Sequence, residues 1–438
     1  MMPKIAVQFI NSRIPTQSSM KKLNGMRLDL TVEALRRILP LREPADVALR
    51  FFFRDNPKIG RSERAFVAET VFSVLRRKSF LDHVIQKADG HAGTPRKIAL
   101  AHLSRIEGMN LRELKPYLSE SEEKWLNSVK AVPADDLPLA VKAELPEWVV
   151  SKLEPAMDEN SILSLGRSMQ QKAPLDLRVN TIKANRKEVL EKLGGEATKW
   201  SPAGVRIQDK FALNEHGLFL EGKVEVQDEG SQLLGYLLAP KRREMVVDFC
   251  AGAGGKTLML GALMGSTGRI YAFDISEKRL EKLGPRLKRS GLSNVNPQLI
   301  QNENDIKVKR LSGKIDRVLV DAPCSGLGTL RRNPDLKWRQ SEASLEELKA
   351  KQAAILAGAS VLVKPGGRLV YATCSILPEE NREIVSNFLE SHPGFRLLDA
   401  SEILKSQHID LDTGKYLELR PDIHGTDGFF AAALEKTA

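Results

Sequence analysis

No run of about eighteen apolar residues occurs in this 438-residue chain, so no membrane-spanning helix is expected. The opening residues, MMPKIAVQFINSRIPTQ, hold an apolar patch too short and too interrupted for a secretory signal. Cysteine is scarce. Cys250, Cys324 and Cys374 are the three present, too few for a disulfide framework in a chain this long. A reducing cytoplasm is the expected setting. There is no C-x-x-C pair and no histidine close by in sequence, so no metal is expected on these thiols. Internal repeats and low-complexity tracts are also lacking.

Positive charge is what the chain has in excess. Lysine and arginine number 67 against 56 acids, a net charge of +11, which favours an anionic partner and above all nucleic acid. The length exceeds one typical domain. At 42% apolar and 28% charged, the composition is that of a packed soluble protein.

From Met26 to about Val129 the pattern is helical. In RSERAFVAETVFSVLRRKSFLDHVI apolar residues recur at three- and four-residue steps, Val67, Val71, Val74 and Leu75 among them. Ser62 is placed to cap this element, with Glu63 in the first turn, where a carboxylate suits the helix dipole. Arg76, Arg77 and Lys78 read as a solvated face, with an RNA-facing patch as the alternative. KAVPADDLPLAVKAELPEW (130–148), with its prolines, reads as a linker. Beyond it, PLDLRVNTIKANRKEVLEKL alternates as a strand through Leu175, Leu177 and Val179, then turns helical after Asn185. GVRI (204–207) is another strand, which makes a small α+β piece. Its Arg178, Asn180, Lys183, Arg186 and Lys187 would suit a phosphate backbone.

From Val226 the rhythm becomes strand then helix. EMVVDF, GRIYAFD, NPQLI, DRVLVDAP and GRLVYATC are the strands; EKRLEKLGPRLKRSG and ASLEELKAKQAAILAGASVLV are helices between them. Such alternation indicates a doubly wound parallel sheet covered on both faces, with ligands gathered at the strands' carboxyl ends. The expected organisation is a tail over 1–24, a helical domain over 25–135, the α+β segment over 145–225 and a catalytic domain over 226–438.

VVDFCAGAGGKT (246–257) ends like a phosphate-binding P-loop, but the first glycine of that pattern falls at position 250, which is Cys. Gly252, Gly254 and Gly255 still let the backbone turn tightly and approach a ligand. Asp274 closes the next strand about twenty residues on, the spacing at which an acid meets ribose hydroxyls. NAD is disfavoured because Thr257 stands where its fingerprint wants Gly or Ala. Asp248, at the loop's mouth, would repel a pyrophosphate and attract a sulfonium or an ammonium. S-adenosylmethionine carries both.

Asp321, Pro323 and Cys324 fall just past one strand; Thr373 and Cys374 fall just past another, with Pro378 suited to a helix start. One strand-end cysteine is most simply a small buried hydrophobe. Two, on strands that can be neighbours, suggest more. A thiolate is stabilised by a helix N-terminus or a nearby cation, and Cys374 precedes an apparent helix start. The chemistry that needs a thiolate beside a methyl donor is methylation of an unreactive ring carbon. Addition of sulfur at C6 of cytosine turns C5 into an enamine-like nucleophile, and release afterwards requires a base.

DFCAGAGGKT, DAPCSGLGTLRRNPDLKW and LVYATCSILPEEN resemble the signature motifs of RNA cytosine-5 methyltransferases of the Sun (Fmu) or RsmB type. HGTDGFFAAALEK (424–436) resembles that fold's closing strand, and VQDEGSQLLGYLLAP (226–240) its lead-in. Residues 26–129 resemble the NusB-type helical domain of bacterial ribosomal RNA members, and the α+β piece their RNA-binding insert. The resemblance implies a Rossmann-like class I methyltransferase sheet preceded by these two RNA-binding parts. It implies Cys374 as nucleophile, Cys324 in product release, Asp321 on the cytosine's polar edge and Lys256 reaching toward the base. It places S-adenosylmethionine against Cys250, Ala251, Gly252, Ala253, Gly254, Gly255, Lys256, Asp274 and Asp321. For the third-strand acid, in LIQNENDIKV, strict spacing points to Asn302 and the nearest acids are Glu303 and Asp305; we take Asp305. The loop reads Ala-Gly-Ala-Gly-Gly where many members have Ala-Ala-Pro-Gly-Gly, a change in rigidity more than in contacts.

The expected activity is methylation of cytosine C5 in structured RNA, small-subunit (16S) ribosomal RNA first, by a cytoplasmic monomer without metal or membrane. The target base must leave its stack to reach a thiol. The rivals are a DNA cytosine-5 methyltransferase, which uses the Pro-Cys thiol and has no need of Thr-Cys, and a non-catalytic ribosome-assembly factor.

Overall fold

A computed structural model describes residues 23–208 and 213–437. Two compact units are present: one holds the described residues up to Lys172 together with Leu330–Ser341, the other Ala173–Thr329 and the chain from Glu342 on. Of the expected tail, only Leu23 and Asn24 fall within the described residues.

The first unit is helical, through Gly25–Ile38, Ala45–Asp55, Arg61–Arg76, Lys78–Asp89, Pro95–Arg105 and Glu120–Ala131 with shorter helices between and after them. Polar side chains start several of these by accepting from free first-turn amides: Asn24 from Arg27, Thr94 from Lys97, and Ser119 in a reciprocal box with Glu122. Val67, Val71, Val74 and Leu75 enter one core with Leu28, Leu35, Phe53, Leu81 and Leu100. Ser62 is not the cap. That position is Gly60, and the Ser62 hydroxyl instead accepts from Arg27 Nη2 at 2.7 Å.

The stretch 130–148 is not a free linker. Pro138 and Pro146 stand immediately ahead of the helices Leu139–Ala143 and Glu147–Leu153, where a fixed φ suits a helix start. Ala143, Leu145 and Val149 are buried, and the Glu144 carboxylate accepts from Ser79 N and Phe80 N at 3.0 and 3.3 Å. The basic triplet is also drawn inward. Arg77 meets Glu144 at 3.4 Å and Gln170 at 2.5 Å, and Arg76 donates to the Arg331 carbonyl at 3.2 Å.

The second unit carries two sheets. The small one runs β2(Glu196–Ala197), β3(Gly204–Ile207), β1(Leu175–Val179), β4(Val224–Val226), all antiparallel. Several of the residues expected to meet phosphate instead bond to the protein's own backbone. Arg178 is buried and donates to Gly255 O at 2.8 Å, Asn180 donates to Gly222 O and Ser290 O at 2.9 Å, and Arg186 to Ser201 O at 3.0 Å. Lys183, though exposed, donates to the carbonyls of Glu221 and Arg289 at 2.9 and 2.7 Å, and Lys187 is exposed as well. A strand that packs one face inward aims its guanidinium at whatever lies beneath, and beneath lie backbone carbonyls.

The large sheet comprises β5(Met245–Asp248), β6(Arg269–Asp274), β7(Val295–Leu299), β8(Ile315–Asp321), β9(Val363–Thr373), β10(Phe395–Leu397), β11(Leu417–Leu419) and β12(Phe429–Lys436). The order is β10-β12-β9-β8-β5-β6-β7, with β11 paired to β12; β5 to β9 run parallel and β12 is antiparallel to β9. Val246 faces one apolar layer with Leu258 and Leu319, while Val247 faces the other with Val318 and Val320, so both faces are covered. Winding reverses between β5 and β8. That is the switch point where open α/β sheets bind ligands, and Asp248 and Asp321 end its two strands.

Candidate active site

The glycine loop leaves β5 and enters the helix Gly255–Leu263. Gly252 and Gly254 take φ of +57° and +83°, which a side chain disfavours, and a Cβ on Gly254 would stand 2.1 Å from Leu283 Cδ1. Asp274, from β6, grips the turn: its carboxylate accepts Gly252 N and Ser276 N, each at 2.8 Å. The loop's carbonyls are held from below. Ala253 O accepts from Arg286 at 2.7 Å and Gly255 O from Arg178, while Glu225 of β4 receives Arg286 at 3.0 Å and also bonds Arg289. The small sheet thus supports the backbone of the loop.

Asp248 sits under this turn, almost wholly buried. Its Oδ2 accepts from Thr257 Oγ1 at 2.6 Å, while Oδ1 is buried without a partner among the described residues. Burial pushes its carboxyl up to about 7 against the Thr257 bond. An unsatisfied buried acceptor is costly, and this one suits a cationic group or an N–H donor set against the loop.

At the neighbouring strand ends, Cys324 Sγ and Cys374 Sγ stand 3.4 Å apart, both partly exposed. Register brings them there: Asp321 lies opposite Ala372, and Gly328 N donates to Cys374 O at 2.8 Å. The Cys324 thiol, donating to its partner, lowers the Cys374 pKa against burial, and the Lys256 ammonium adds to the lowering. Cys324 moves up, chiefly through the same hydrogen bond. Cys250 is driven well up by burial and by the carboxylates of Asp321, Asp248 and Asp274. Cys374 is therefore the sulfur most easily made thiolate. The helix start expected just after Cys374 is not there: the helix Arg382–Ser391 begins well beyond it, and a 3-10 turn, Pro378–Glu380, lies between. Lys256 Nζ meets Asp321 Oδ2 at 2.6 Å; burial opposes its charge, and Asp321 carries its pKa above the ordinary lysine value.

The structure thus brings together Cys374, Cys324, Asp321 and Lys256, with Cys250, Ala251 and the glycines beside Asp274. Asp305 is not drawn into this group by any bond among the described residues. Its carboxylate closes its own turn, accepting from Gln301 N and Lys307 N at 2.9 and 2.8 Å at the head of a short helix. Asn302 does the same for Asn304 N at 2.9 Å.

Some roles escaped the sequence reading. Thr257 holds Asp248, and Arg178, Arg286 and Glu225 hold the loop. Glu380, fully buried, binds the segments after both cysteines. A signal was present in the repeated Cys-Ser step, Cys324-Ser325 and Cys374-Ser375, with an acid shortly after the second.

A doubly wound sheet with a glycine loop at its switch point, an acid one strand over and two thiols beside it defines a Rossmann-like methyltransferase. The description "16S rRNA methyltransferase RsmB/F" matches residues 235–435, and a ferredoxin-like domain of the same proteins matches 145–227. A ribosomal RNA small subunit methyltransferase B of Shewanella oneidensis is 34% identical over 74% of this chain and 71% of its own length. Among solved structures, PH0851 is 28% identical with a TM-score of 0.77, over 95% of this chain and 100% of that one. NSun6 from Pyrococcus horikoshii, solved with SFG, shares the fold at 20% identity and a TM-score of 0.58, over 67% of this chain and 98% of its own. This chain belongs to the RsmB/F family of 16S rRNA methyltransferases.

Proposed function

We propose that this enzyme transfers the methyl group of S-adenosylmethionine to C5 of a cytosine in 16S ribosomal RNA, as a cytoplasmic monomer. The observation that carries the reading is the sulfur pair at 3.4 Å beside Lys256 and Asp321, at the switch point of the sheet. The buried Oδ1 of Asp248, unpartnered among the described residues, and the tight glycine turn fit the donor's charged methionine end, with Asp274 toward the ribose. The bound donor supplies an electrophilic methyl on a sulfonium.

Cys374, as thiolate, forms a bond to C6, and the ring electrons move toward C5 while Asp321 and Lys256 hold the polar edge and balance the charge. C5 would then take up the methyl group that the bound donor supplies, the electron pair of the broken C–S bond leaving with the donor. Cys324 takes up the C5 proton after losing its own to solvent. The C5 electrons expel the Cys374 thiolate, and the ring is aromatic again. The Thr-Cys thiol favours RNA over DNA, whose cytosine-5 enzymes work from the Pro-Cys thiol alone. Bisulfite mapping of 16S rRNA from cells with and without this gene should show one cytosine losing protection. An unchanged map would remove the RNA target from the account.

A further inference from the structure

Glu380 holds no place in the chemistry above, yet its carboxylate joins the two cysteine segments. Oε1 accepts from Ser325 N at 2.8 Å and from Gln352 Nε2 at 2.9 Å; Oε2 accepts from Ser325 Oγ at 2.5 Å and also from Ser375 Oγ. Ser325 follows Cys324 and Ser375 follows Cys374. The two hydroxyls lie 3.1 Å apart, and Ser375 Oγ also accepts from Leu377 N at 3.1 Å. Gln352 spans to the Pro323 carbonyl at 3.0 Å, and Tyr371 fixes the Glu380 backbone by donating to its carbonyl at 2.7 Å. β8 ends at Asp321 and β9 at Thr373, so both cysteines lie beyond the ladder that pairs their strands. A buried carboxylate stays there only when its oxygens are satisfied by donors. Here those donors come from both cysteine segments and from a helix behind them.

We propose that Glu380 is a positioning residue whose carboxylate, shared by the serines after each cysteine, holds the Cys324 and Cys374 sulfurs within hydrogen-bond distance. It rests on Cys374 as the reactive sulfur only for its catalytic consequence; the placement itself stands on geometry. Bridging rather than charge is the requirement. A glutamine at 380 keeps two hydrogen-bonding ends of the same reach, whereas alanine keeps none.

The test uses the purified full chain as wild type, Glu380→Ala and Glu380→Gln, with folding checked by circular dichroism. Diamide, which accepts two hydrogens as two thiols become a disulfide, reports how closely the sulfurs sit. Loss of about an ångström in placement predicts at least a ~10-fold slower Cys324–Cys374 crosslink in Glu380→Ala, with Glu380→Gln near wild type. The pH midpoint for iodoacetamide alkylation of Cys374 should rise in Glu380→Ala toward that of Cys324→Ala. Methyl transfer should lose kcat with the KM for RNA unchanged. A folded Glu380→Ala that crosslinks at the wild-type rate overturns the proposal. If Glu380→Ala fails to fold, Glu380→Asp, shorter by one methylene, is read by the same two outcomes. Slower crosslinking with undiminished methyl transfer would uphold the placement and overturn its catalytic consequence, the need for closely set sulfurs in turnover.

Discussion

Among the described residues two lysines lie buried, one in each unit, and their surroundings set them apart. Lys256, in the catalytic unit, meets a carboxylate: Asp321 at 2.6 Å keeps the ammonium charged despite burial. Lys337, in the helical unit, meets carbonyls: Arg76 O at 2.9 Å and Glu144 O at 2.5 Å. Burial pulls Lys337 below the ordinary lysine range, Glu144 opposes this, and Arg77, Arg76 and Lys78 repel its charge. Trp338, beside it, donates to the Leu75 carbonyl at 2.9 Å. The difference lies in what else is reachable. Beside Lys256 stand a partly exposed carboxylate and two partly exposed thiols. Around Lys337 the polar partners serve packing. Burial with a shifted pKa marks a candidate site only when a reactive group stays open next to it.

The sharpest way to break this comparison is to remove each lysine in turn. Lys256→Met should cut methyl transfer by about 10²–10⁴-fold, the usual range for a lost charged participant, with little change in melting temperature. Lys337→Met should leave the rate within a few-fold but cost about 3 kcal/mol of stability, as buried partners lose their donor. Similar rates for the two variants would erase the distinction. The helical interior offers a second handle in His102, buried against Ser73 Oγ at 2.7 Å and lowered from 6.5 to about 4 by burial and by Arg77. A base with a depressed folded pKa contributes stability that is full above 6.5 and lost as pH falls toward 4, here about 3 kcal/mol. Urea unfolding followed through a helical-unit tryptophan should show that slope, and His102→Gln should flatten it. The smallest effect is at the donor site. Asp248 holds a proton below about 7 and must shed it to face a cation. The Kd for S-adenosylmethionine should therefore rise as pH falls below 7, by up to ~10-fold per unit, and Asp248→Asn should show no such dependence. A pH-independent Kd in the wild type would remove Asp248 as the counter-charge.

The catalytic sheet was legible in the sequence because parallel strands buried on both faces read as short apolar runs. EMVVDF, GRIYAFD, NPQLI, DRVLVDAP and GRLVYATC each overlap a strand of the sheet, NPQLI at its largely exposed edge. The glycine turn was legible too, since Gly252 and Gly254 occupy backbone conformations that few other residues accept. Side-chain direction was not. Arg178, Asn180 and Arg77 look like phosphate ligands by type, but each bonds inward, because partners far off in sequence decide which way a guanidinium or an amide turns. The prolines of 130–148 were read as breakers, and two of them open helices. Glu380 was visible as a letter in a motif. Its work depends on serines brought to it by strand register, which no local pattern states.

The most direct test follows the protein–RNA adduct through denaturing gels, using wild type, Cys324→Ala and Cys374→Ala with substrate RNA and S-adenosylmethionine. An SDS-stable complex should accumulate with Cys324→Ala, and neither complex nor methylated RNA should appear with Cys374→Ala. Methyl transfer by the Cys374 variant, or a stable complex formed without that sulfur, would contradict Cys374 as the nucleophile.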